Sequence, residues 1–349
     1  MNCKGCYELL REGLAAPCKT WNRDGNRYNK TTKSHFASDN WIVFRPKYTG
    51  VQMELSRRDF LTVSAVLGLA TQLQATEETK PKTLVLMAGT ISHGPGDHEF
   101  NAGVRLLAKC LEATKGLKVE VLLSGYPKDD GVLDAADGIL CFADGGAGHP
   151  LIRDARLERI GKLMKKGTGL MCAHFGVEVP KDIGAKEFRE WIGGCYEHEF
   201  SCNPMWSPEF KTFPEHPISN GVKPFSVRDE WYFNMRFRDE MKGMTPILTA
   251  VPSDKVREGP YVYPKGPYKH IQAAKGQTET MMWAQDRADG GRGVGFTGGH
   301  FHKNWKDDNF RKVVLNALLW ICKMDVPKDG VASTVTDENM AANLDPKKK

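Results

Sequence analysis

The chain has 349 residues, of which 40% are hydrophobic and 26% are charged, a balance that is ordinary for a globular protein. Its formal charge of +6 is unevenly distributed, because residues 1–52 carry nine Lys or Arg against four Asp or Glu and leave only +1 for the remainder. Nucleic-acid binding needs clustered basic side chains that face phosphates. The near-neutral body therefore argues against a nucleic-acid partner.

A twin-arginine export signal is predicted at residues 53–75. Arg57 and Arg58 lie in the segment Ser-Arg-Arg-Asp-Phe-Leu, directly before an apolar stretch at 61–70 that is too short to span a bilayer. A small-residue cleavage site is expected to end at Ala75. We therefore expect an exported, periplasmic protein whose only contact with a membrane is through this signal.

The residues before the predicted signal are expected to be a non-native extension. Because such a signal lies at the start of a chain, Met53 is the expected initiator, and residues 1–52 show no sustained helical or strand period. We expect them to be disordered. The alternative is a small zinc-binding module around Cys3 and Cys6, for which one Cys-x-x-Cys pair without a second is weak evidence.

A strand, a helix and a second strand are predicted at the start of the body. Residues 83–89 form a continuous apolar run that ends in glycine, which is typical of a strand buried on both faces of a parallel sheet. Residues 99–113 repeat apolar side chains at helical spacing, and residues 117–123 follow as the next strand.

The alternation of strand and helix continues to residue 173. A strand is predicted at 137–143, a helix at 151–166 and another strand at 168–173. Such βαβα order forces right-handed crossovers. We therefore expect an α/β fold of flavodoxin-like type, a doubly wound and mainly parallel sheet with helices on both faces. Ligand sites in such sheets lie beyond the carboxyl ends of the strands.

The alternation breaks between residues 184 and 276, a region rich in proline, aromatic and charged residues with short strands such as 245–251. The pattern then returns with strands at 279–285 and 292–297 and a helix at 309–323. We therefore interpret the middle region as an elaboration of one domain at residues 76–327. The polar tail at 328–349 is expected to be disordered.

The six cysteines of the body fall into two groups. Four lie inside apolar periodic segments and are expected to be small buried hydrophobic residues: Cys110, Cys141, Cys172 and Cys322. Cys195 and Cys202 flank a loop-like stretch. Because an exported protein meets an oxidising compartment, they are the one pair that we consider for a disulfide bridge.

Histidines gather after the predicted strands. The chain has ten, and six of them lie in loops that follow strands: His93, His98, His149, His174, His300 and His302. A lone histidine is more often a structural residue, but loops at one edge of a doubly wound sheet converge in space. The group is therefore expected to form a functional site.

The turn at residues 169–176 has the pattern of a nucleophile elbow, in which a strand delivers one side chain at a tight turn. The residue delivered is His174, and Gly176 permits a close backbone approach. Cys172 lies inside the strand and is a poor candidate for a nucleophile. Glu178, four residues after His174, would share a helical face with it and orient its imidazole if a helix began at the elbow.

Five short motifs occur in an order that resembles the ThuA-like (trehalose-utilisation) family. They are the loop 92–101 (SHGPGDHEFN), the elbow, His216–Gly221 (HPISNG), Asp229–Tyr232 (DEWY) and Gly298–His302 (GGHFH). Each motif is weak alone, whereas their order and spacing are specific. The resemblance covers about residues 83–322.

This resemblance implies a fold similar to that of class I glutamine amidotransferases, but without their thiol nucleophile. This sequence also lacks a cysteine at the elbow, where it has His174. It also implies a role near carbohydrate metabolism and a small-molecule saccharide as the partner. The positions that match the family are His93, His174, Glu230 and His300. His98 and Glu99 match a narrower subgroup.

His174 and His300 are the candidate catalytic residues, with Glu230 in support. Six further residues are candidates for substrate binding: His93, His98, Glu99, Trp231, Tyr232 and His302. Because sugar rings stack on aromatic side chains, we expect one or two of Trp206, Trp231 and Tyr232 to line the crevice, although core packing is the commoner fate of aromatics. If a divalent metal such as zinc is bound, the expected ligands are His93, His174 and His300.

We interpret the chain as an exported enzyme that acts on a saccharide or keto-saccharide by hydrolysis, isomerisation or elimination. Imidazoles and carboxylates at strand ends suit a metal with an open position for water, or acid–base transfer at a sugar hydroxyl or beside a ketone. The alternatives are a non-catalytic sugar-binding module and an amidotransferase-like or peptidase-like hydrolase, against which the absence of cysteine at the elbow weighs. The sequence leaves open whether the chain forms homo-oligomers.

Overall fold

A computed structural model describes residues 80–348 of the chain. The predicted export signal at 53–75, the predicted extension at 1–52 and the pair Cys3 and Cys6 lie outside the described residues. Within the described part, no helix is both long enough and apolar enough to cross a bilayer. The described residues all belong to one compact unit.

Seven strands of the described region form a central sheet, and four short strands form two small sheets beside it. In chain order the strands are β1 (Lys82–Ala88), β2 (Leu117–Leu122), β3 (Gly138–Phe142), β4 (Gly169–Ala173), β5 (Gly194–Cys195), β6 (Met205–Trp206), β7 (Asp229–Glu230), β8 (Arg236–Phe237), β9 (Met244–Ala250), β10 (Glu279–Asp286) and β11 (Arg292–Phe296). The order across the central sheet is β2-β1-β3-β4-β11-β10-β9.

The first five strands across this sheet run parallel, and β10 runs antiparallel to both of its neighbours. A parallel connection needs a crossover of a dozen or more residues, whereas only residues 287–291 separate β10 from β11. β10 and β11 can therefore be joined only by an antiparallel hairpin. The predicted α/β fold with a mainly parallel, flavodoxin-like sheet is confirmed.

Helices cover both faces of the sheet. They are α1 (Phe100–Leu111), α2 (Arg156–Lys165), α3 (Ala185–Trp191), α4 (Asp254–Glu258), α5 (Lys269–Ala273), α6 (Asp308–Ile321) and α7 (Asp337–Ala341). Along β1, Leu84 and Leu86 pack into the core beneath α1 and α6, while Val85 and Met87 pack into the core beneath α2 and α3. This alternation explains the continuous apolar run, because both faces of the strand are covered.

The helix predicted at 151–166 begins later than expected, at Arg156. Asp154 has a φ of 53°, a left-handed conformation that a right-handed helix cannot include. Leu151 and Ile152 are nevertheless buried, which explains why their apolar spacing resembled helix.

The middle region at 184–276 contains α3 to α5, β9 and the two small antiparallel sheets, β5 with β8 and β6 with β7. Phe210 and Phe233 from this region pack into the same core as α6. The pairing of β6 with β7 sets Met205 opposite Glu230. The region thus adds to the main core and holds one of the candidate site residues in a strand.

The expectation that the tail at 328–349 is disordered is wrong for residues 328–348. Thr336 caps α7 with its side chain and forms a reciprocal capping box with Asn339. Beyond this helix, Asp345 is buried and its backbone N–H donates to Glu99 at 2.7 Å. A polar composition did not prevent ordering, because these polar groups find partners on the domain.

All six cysteines of the described region are free, so a bridge between Cys195 and Cys202 is ruled out. The two lie in different cores, Cys195 beneath α2 and α3 and Cys202 beneath α6. The expectation that Cys141, Cys172 and Cys322 are buried is confirmed, and Cys110 is half-buried.

Candidate functional site

The predicted elbow follows β4. His174 has a φ of 54°, an unusual conformation for a residue other than glycine, and it opens a short 3-10 turn at His174–Val177. A Cβ atom on Gly176 would lie 3.0 Å from the carbonyl oxygen of Cys141, so glycine permits the turn to pack against β3. The strained backbone delivers a fully buried imidazole to the edge of the sheet.

Three imidazoles and one carboxylate meet at this edge, and we call His98, His174, Glu230 and His300 the histidine–glutamate cluster. His98 Nε2 lies 3.0 Å from His174 Nε2 and 3.0 Å from His300 Nδ1. Glu230 Oε2 lies 2.8 Å from His300 Nδ1 and 3.6 Å from His174 Nε2. All four atoms lie within 4.8 Å of one another, so one metal ion could contact all of them.

Hydrogen bonds from the outer side of two rings fix which nitrogens face the centre. His174 Nδ1 donates to the carbonyl oxygen of Thr297 at 3.1 Å, and His98 Nδ1 donates to Asp144 Oδ1 at 2.8 Å. A neutral imidazole carries one hydrogen, so both Nε2 atoms present lone pairs to the centre. Partners of this kind orient histidines that bind metals.

Burial holds His98 and His174 in the neutral form. Burial, and after it the charges of His93, His300 and Lys347, together lower the pKa of His98 to about 2. The pKa of His174 also lies well below its ordinary value, first because of burial and then because of His98 and His300. Metal ligation requires unprotonated imidazole, so both rings are ready to bind.

His300 and Glu230 form a buried ion pair within the cluster. Burial opposes protonation of His300, but the hydrogen bond and charge of Glu230, together with the charges of Asp97 and Asp229, raise the pKa of His300 overall. Burial raises the pKa of Glu230, and the hydrogen bond and charge of His300 oppose that rise. The pair adds one carboxylate to the imidazoles, and ligation of a metal through His300 Nδ1 would require loss of the proton that this nitrogen shares with Glu230.

Asp229 folds the loop that carries His300. Its carboxylate is fully buried and accepts hydrogen bonds from the backbone N–H groups of Gly299 at 2.8 Å and His300 at 3.1 Å. Asn304 Nδ2 donates to the same carboxylate at 3.0 Å. Glu230, the next residue in β7, is left to face the cluster.

His93 lies outside the four central atoms. Its ring stacks on that of His98 with centroids 3.6 Å apart, and 40% of its side chain is exposed. Its Nδ1 lies 3.8 Å from Asp144 Oδ1. Of the expected ligand set of His93, His174 and His300, the structure brings the last two together with His98, while His93 covers the outer side of His98 and forms a second potential ligand group with His98 and Asp144.

Of the aromatics expected to line the crevice, only Tyr232 reaches the cluster, with its hydroxyl 3.4 Å from His174 Nε2. Trp231 is fully buried with its ring centroid 5.0 Å from that of Phe210, so its expected role in substrate binding is corrected. Trp206 is also in this core. Successive side chains of an extended segment point to opposite faces, which separates Trp231 from Tyr232.

Glu99 and His302, two further candidates for substrate binding, do not join the cluster. The Glu99 carboxylate accepts hydrogen bonds from the backbone N–H groups of Gly96 at 2.8 Å and Asp345 at 2.7 Å. His302 Nε2 is 3.1 Å from the carbonyl oxygen of Met340. In the structure, Glu99 and His302 therefore hold loops and the segment after α6, and neither side chain faces the cluster as the expected role in substrate binding would require.

His149 is a structural histidine. Its Nε2 donates to the carbonyl oxygen of Gly176 at 2.9 Å, and its Nδ1 accepts from the backbone N–H of Leu151 at 3.1 Å. Burial lowers its pKa to about 4, although the bond to Gly176 opposes the change. His149 therefore stabilises the elbow turn through its hydrogen bond to Gly176.

The expected pairing of Glu178 with His174 is not present. The elbow turn ends at Val177 and Glu178 adopts an extended conformation, so the two side chains do not share a helical face. The described residues show no hydrogen bond between them. Burial and the charge of Glu230 raise the pKa of Glu178 to about 7, which makes it a separate acid–base candidate near the cluster.

Three partners of the cluster were missed from the sequence. Asp144 follows β3 closely, so a search of strand ends for acids as well as histidines would have found it. Asn203 holds Glu230 Oε1 with its Nδ2 at 2.8 Å, and Thr297 acts through its backbone carbonyl. No sequence pattern marks Asn203 or Thr297, because both lie outside the regular strands and helices.

Comparisons with known proteins agree with this architecture. The ThuA family, described as trehalose utilisation, matches residues 85–321. A solved structure of a ThuA-like protein from Bacteroides uniformis ATCC 8492 is similar with a TM-score of 0.51 and 16% identity, over 72% of this chain and 96% of that one. No curated protein matches the chain. With its fold, its elbow histidine and a family match over most of the described residues, the chain belongs to the ThuA family.

Proposed function

We propose that this protein is a metal-dependent enzyme that acts on a saccharide or keto-saccharide by hydrolysis, isomerisation or elimination. The observation that carries the proposal is the contact of two neutral imidazoles. His98 Nε2 and His174 Nε2 lie 3.0 Å apart, and the hydrogen of each ring is on its other nitrogen. Two lone pairs at this distance repel unless a proton or a metal ion lies between them.

The geometry of the histidine–glutamate cluster supports zinc or a similar ion. Zinc–nitrogen bonds of about 2.0–2.1 Å at angles of about 90–110° place ligand atoms roughly 2.8–3.4 Å apart. Four of the six spacings in the cluster run from 2.8 to 3.6 Å, and all six lie within 4.8 Å. Three imidazoles and one carboxylate are also the ligand types that such ions prefer.

The residues around this centre supply the remaining chemistry. A bound divalent metal would act as a Lewis acid that polarises an oxygen of the substrate. Glu178, whose pKa is raised to about 7 by burial and by Glu230, can accept or return a proton at neutral pH. Tyr232 places a hydroxyl beside His174 and can donate a hydrogen bond to a sugar oxygen.

A thiol mechanism of the amidotransferase or peptidase kind is disfavoured. Cys172 is fully buried within β4, and burial raises the pKa of its thiol well above the ordinary value. A reactive cysteine needs an exposed setting that favours the thiolate. His174 occupies the position from which a nucleophile would act.

An exposed aromatic residue whose backbone is joined to the cluster through Asn203 supports a sugar as the substrate. Tyr263 is 68% exposed and is the only exposed Tyr, Trp or Phe among residues 80–348. Asn203 joins it to the cluster, since its Nδ2 donates to Glu230 Oε1 at 2.8 Å and its Oδ1 accepts from the backbone N–H of Tyr263 at 3.1 Å. A flat ring in this place suits the apolar face of a pyranose.

Replacing Tyr263 with alanine is expected to raise KM for a keto-glucoside by about 3- to 10-fold, with kcat changed less than about twofold, because stacking contributes equally to ground and transition states. Steady-state kinetics would measure the split. Tyr263→Phe, which keeps the ring face, is the matched control and should behave as the unchanged protein. Equal KM values for the alanine and phenylalanine variants would contradict stacking at Tyr263.

The proposal as a whole is tested with protein expressed from Met53 in a bacterium that has a twin-arginine export route. We expect mature protein in the periplasm, about one zinc per chain, and turnover of a keto-glucoside that a chelator removes. Metal-free protein that binds the sugar without turnover would instead support a non-catalytic sugar-binding module. Protein confined to the cytoplasm would contradict export.

A further inference from the structure

The segment at 343–348 lies against the loop that carries His98. Only 2% of the Lys347 side chain is exposed. Its ammonium donates to the backbone carbonyls of Asp97 and His98, the latter at 3.1 Å, and lies 3.5 Å from Glu99 Oε1. An ammonium has three N–H donors, so these three acceptors satisfy it.

Other contacts fix the segment to the same loop. The backbone N–H of Asp345 donates to Glu99 Oε2 at 2.7 Å, and Asn101 Nδ2 donates to Asp345 Oδ1 at 2.6 Å. Asn101 belongs to α1, which packs on the sheet. Glu99 therefore receives hydrogen bonds from the segment on one oxygen and from the backbone of Gly96 on the other.

The backbone at His98 needs such support. Its φ of 47° lies in the left-handed region, which a residue other than glycine keeps only when its surroundings determine it. The backbone N–H of His98 donates to the carbonyl oxygen of His300 at 2.9 Å. Its own carbonyl accepts from Lys347 and from the backbone N–H of Phe100. Lys347 thus holds the peptide that aims the His98 ring.

We infer that Lys347 is a positioning residue of the candidate metal site and that residues 343–348 complete that site by holding His98 in its ligating conformation. The inference rests on the proposed metal binding. Lys347 contacts no atom at the centre, and it acts through the backbone of Asp97 and His98 and through Glu99.

Zinc titration of Lys347→Met and Lys348→Met would test this role. Lys348 is the exposed neighbour, so its replacement makes the same chemical change at a position that the inference does not involve. We expect Lys347→Met to bind zinc about 10- to 100-fold more weakly and to shift the visible absorption of bound cobalt, as loss of an outer partner does at metal sites. Lys348→Met should match the unchanged protein in both measurements.

Hydrogen exchange on the unchanged protein is the second test, because it needs no variant to fold. Coupling between two sites is reciprocal, so zinc should slow exchange of the Asp345 amide. Equal zinc affinity and equal cobalt spectra for Lys347→Met and Lys348→Met, or an Asp345 amide indifferent to zinc, would overturn the inference while leaving the proposed function intact. An unchanged protein that binds no zinc would overturn both.

Discussion

The variant His174→Asn is expected to lose zinc binding, with an affinity lowered by at least about 100-fold and turnover reduced below about 1%, because a ligand is removed rather than an outer partner. Asparagine suits this position for two reasons. It tolerates the left-handed backbone at a φ of 54°, and its amide N–H can still donate to the carbonyl oxygen of Thr297. It lacks the atom equivalent to Nε2.

Metal analysis after dialysis, together with the unfolding temperature, would separate loss of the ligand from loss of the fold. His270→Ala is the control, since His270 is exposed, stacks on Phe200 and Tyr268, and bonds through its ring nitrogen to the carbonyl oxygen of Phe200 rather than to any group of the cluster. Its zinc content should equal that of the unchanged protein. A folded His174→Asn variant that retains full zinc would mean that the histidine–glutamate cluster is not the metal site.

The variant Gly145→Ala is expected to destabilise the protein by about 2–4 kcal/mol and to weaken metal binding, because overpacking forces the backbone to shift. The added Cβ would lie 2.2 Å from the carbonyl oxygen of Phe175 and 2.6 Å from that of Glu178. Both are backbone atoms beside the elbow, so they cannot rotate away. His174 must move with them.

Gly148→Ala is the matched control, since a Cβ there meets no atom within 4 Å. Denaturant unfolding of both variants, followed by zinc titration, would measure the two effects. We expect the free energy of unfolding of Gly148→Ala to stay within about 0.5 kcal/mol of the unchanged protein. Similar stabilities for both alanine variants would contradict the close packing around the elbow.

The sheet could be predicted because its strands are buried on both faces and therefore read as continuous apolar runs. The elbow could also be predicted, since a strand, one polar residue and a glycine occur in a fixed order in residues 169–176. Histidines after strands pointed to the correct edge of the sheet. The strands, the elbow and the histidines after strands are each visible in a short stretch of sequence. General rules for connecting parallel strands then give their arrangement.

Which residues form the histidine–glutamate cluster could not be predicted from the sequence. His93 and His98 lie in one loop, and left-handed residues with φ of 58° and 47° decide which ring faces the centre. Trp231 and Tyr232 are neighbours in sequence, yet they pack into different cores. The contacts of Lys347 with residues 97–99 join distant parts of the chain, and no local pattern encodes them.

The six unbridged cysteines of the described residues have a consequence for the proposed export into an oxidising compartment. Burial raises the pKa of Cys141 and Cys322 to about 12, so neither forms the thiolate that reacts with oxidants while the fold is intact. An unfolded chain would expose every thiol and could form mismatched bridges that trap it. If the chain is exported as proposed, it is therefore safest when it crosses the membrane already folded, and its lifetime in an oxidising compartment should depend on how rarely it unfolds.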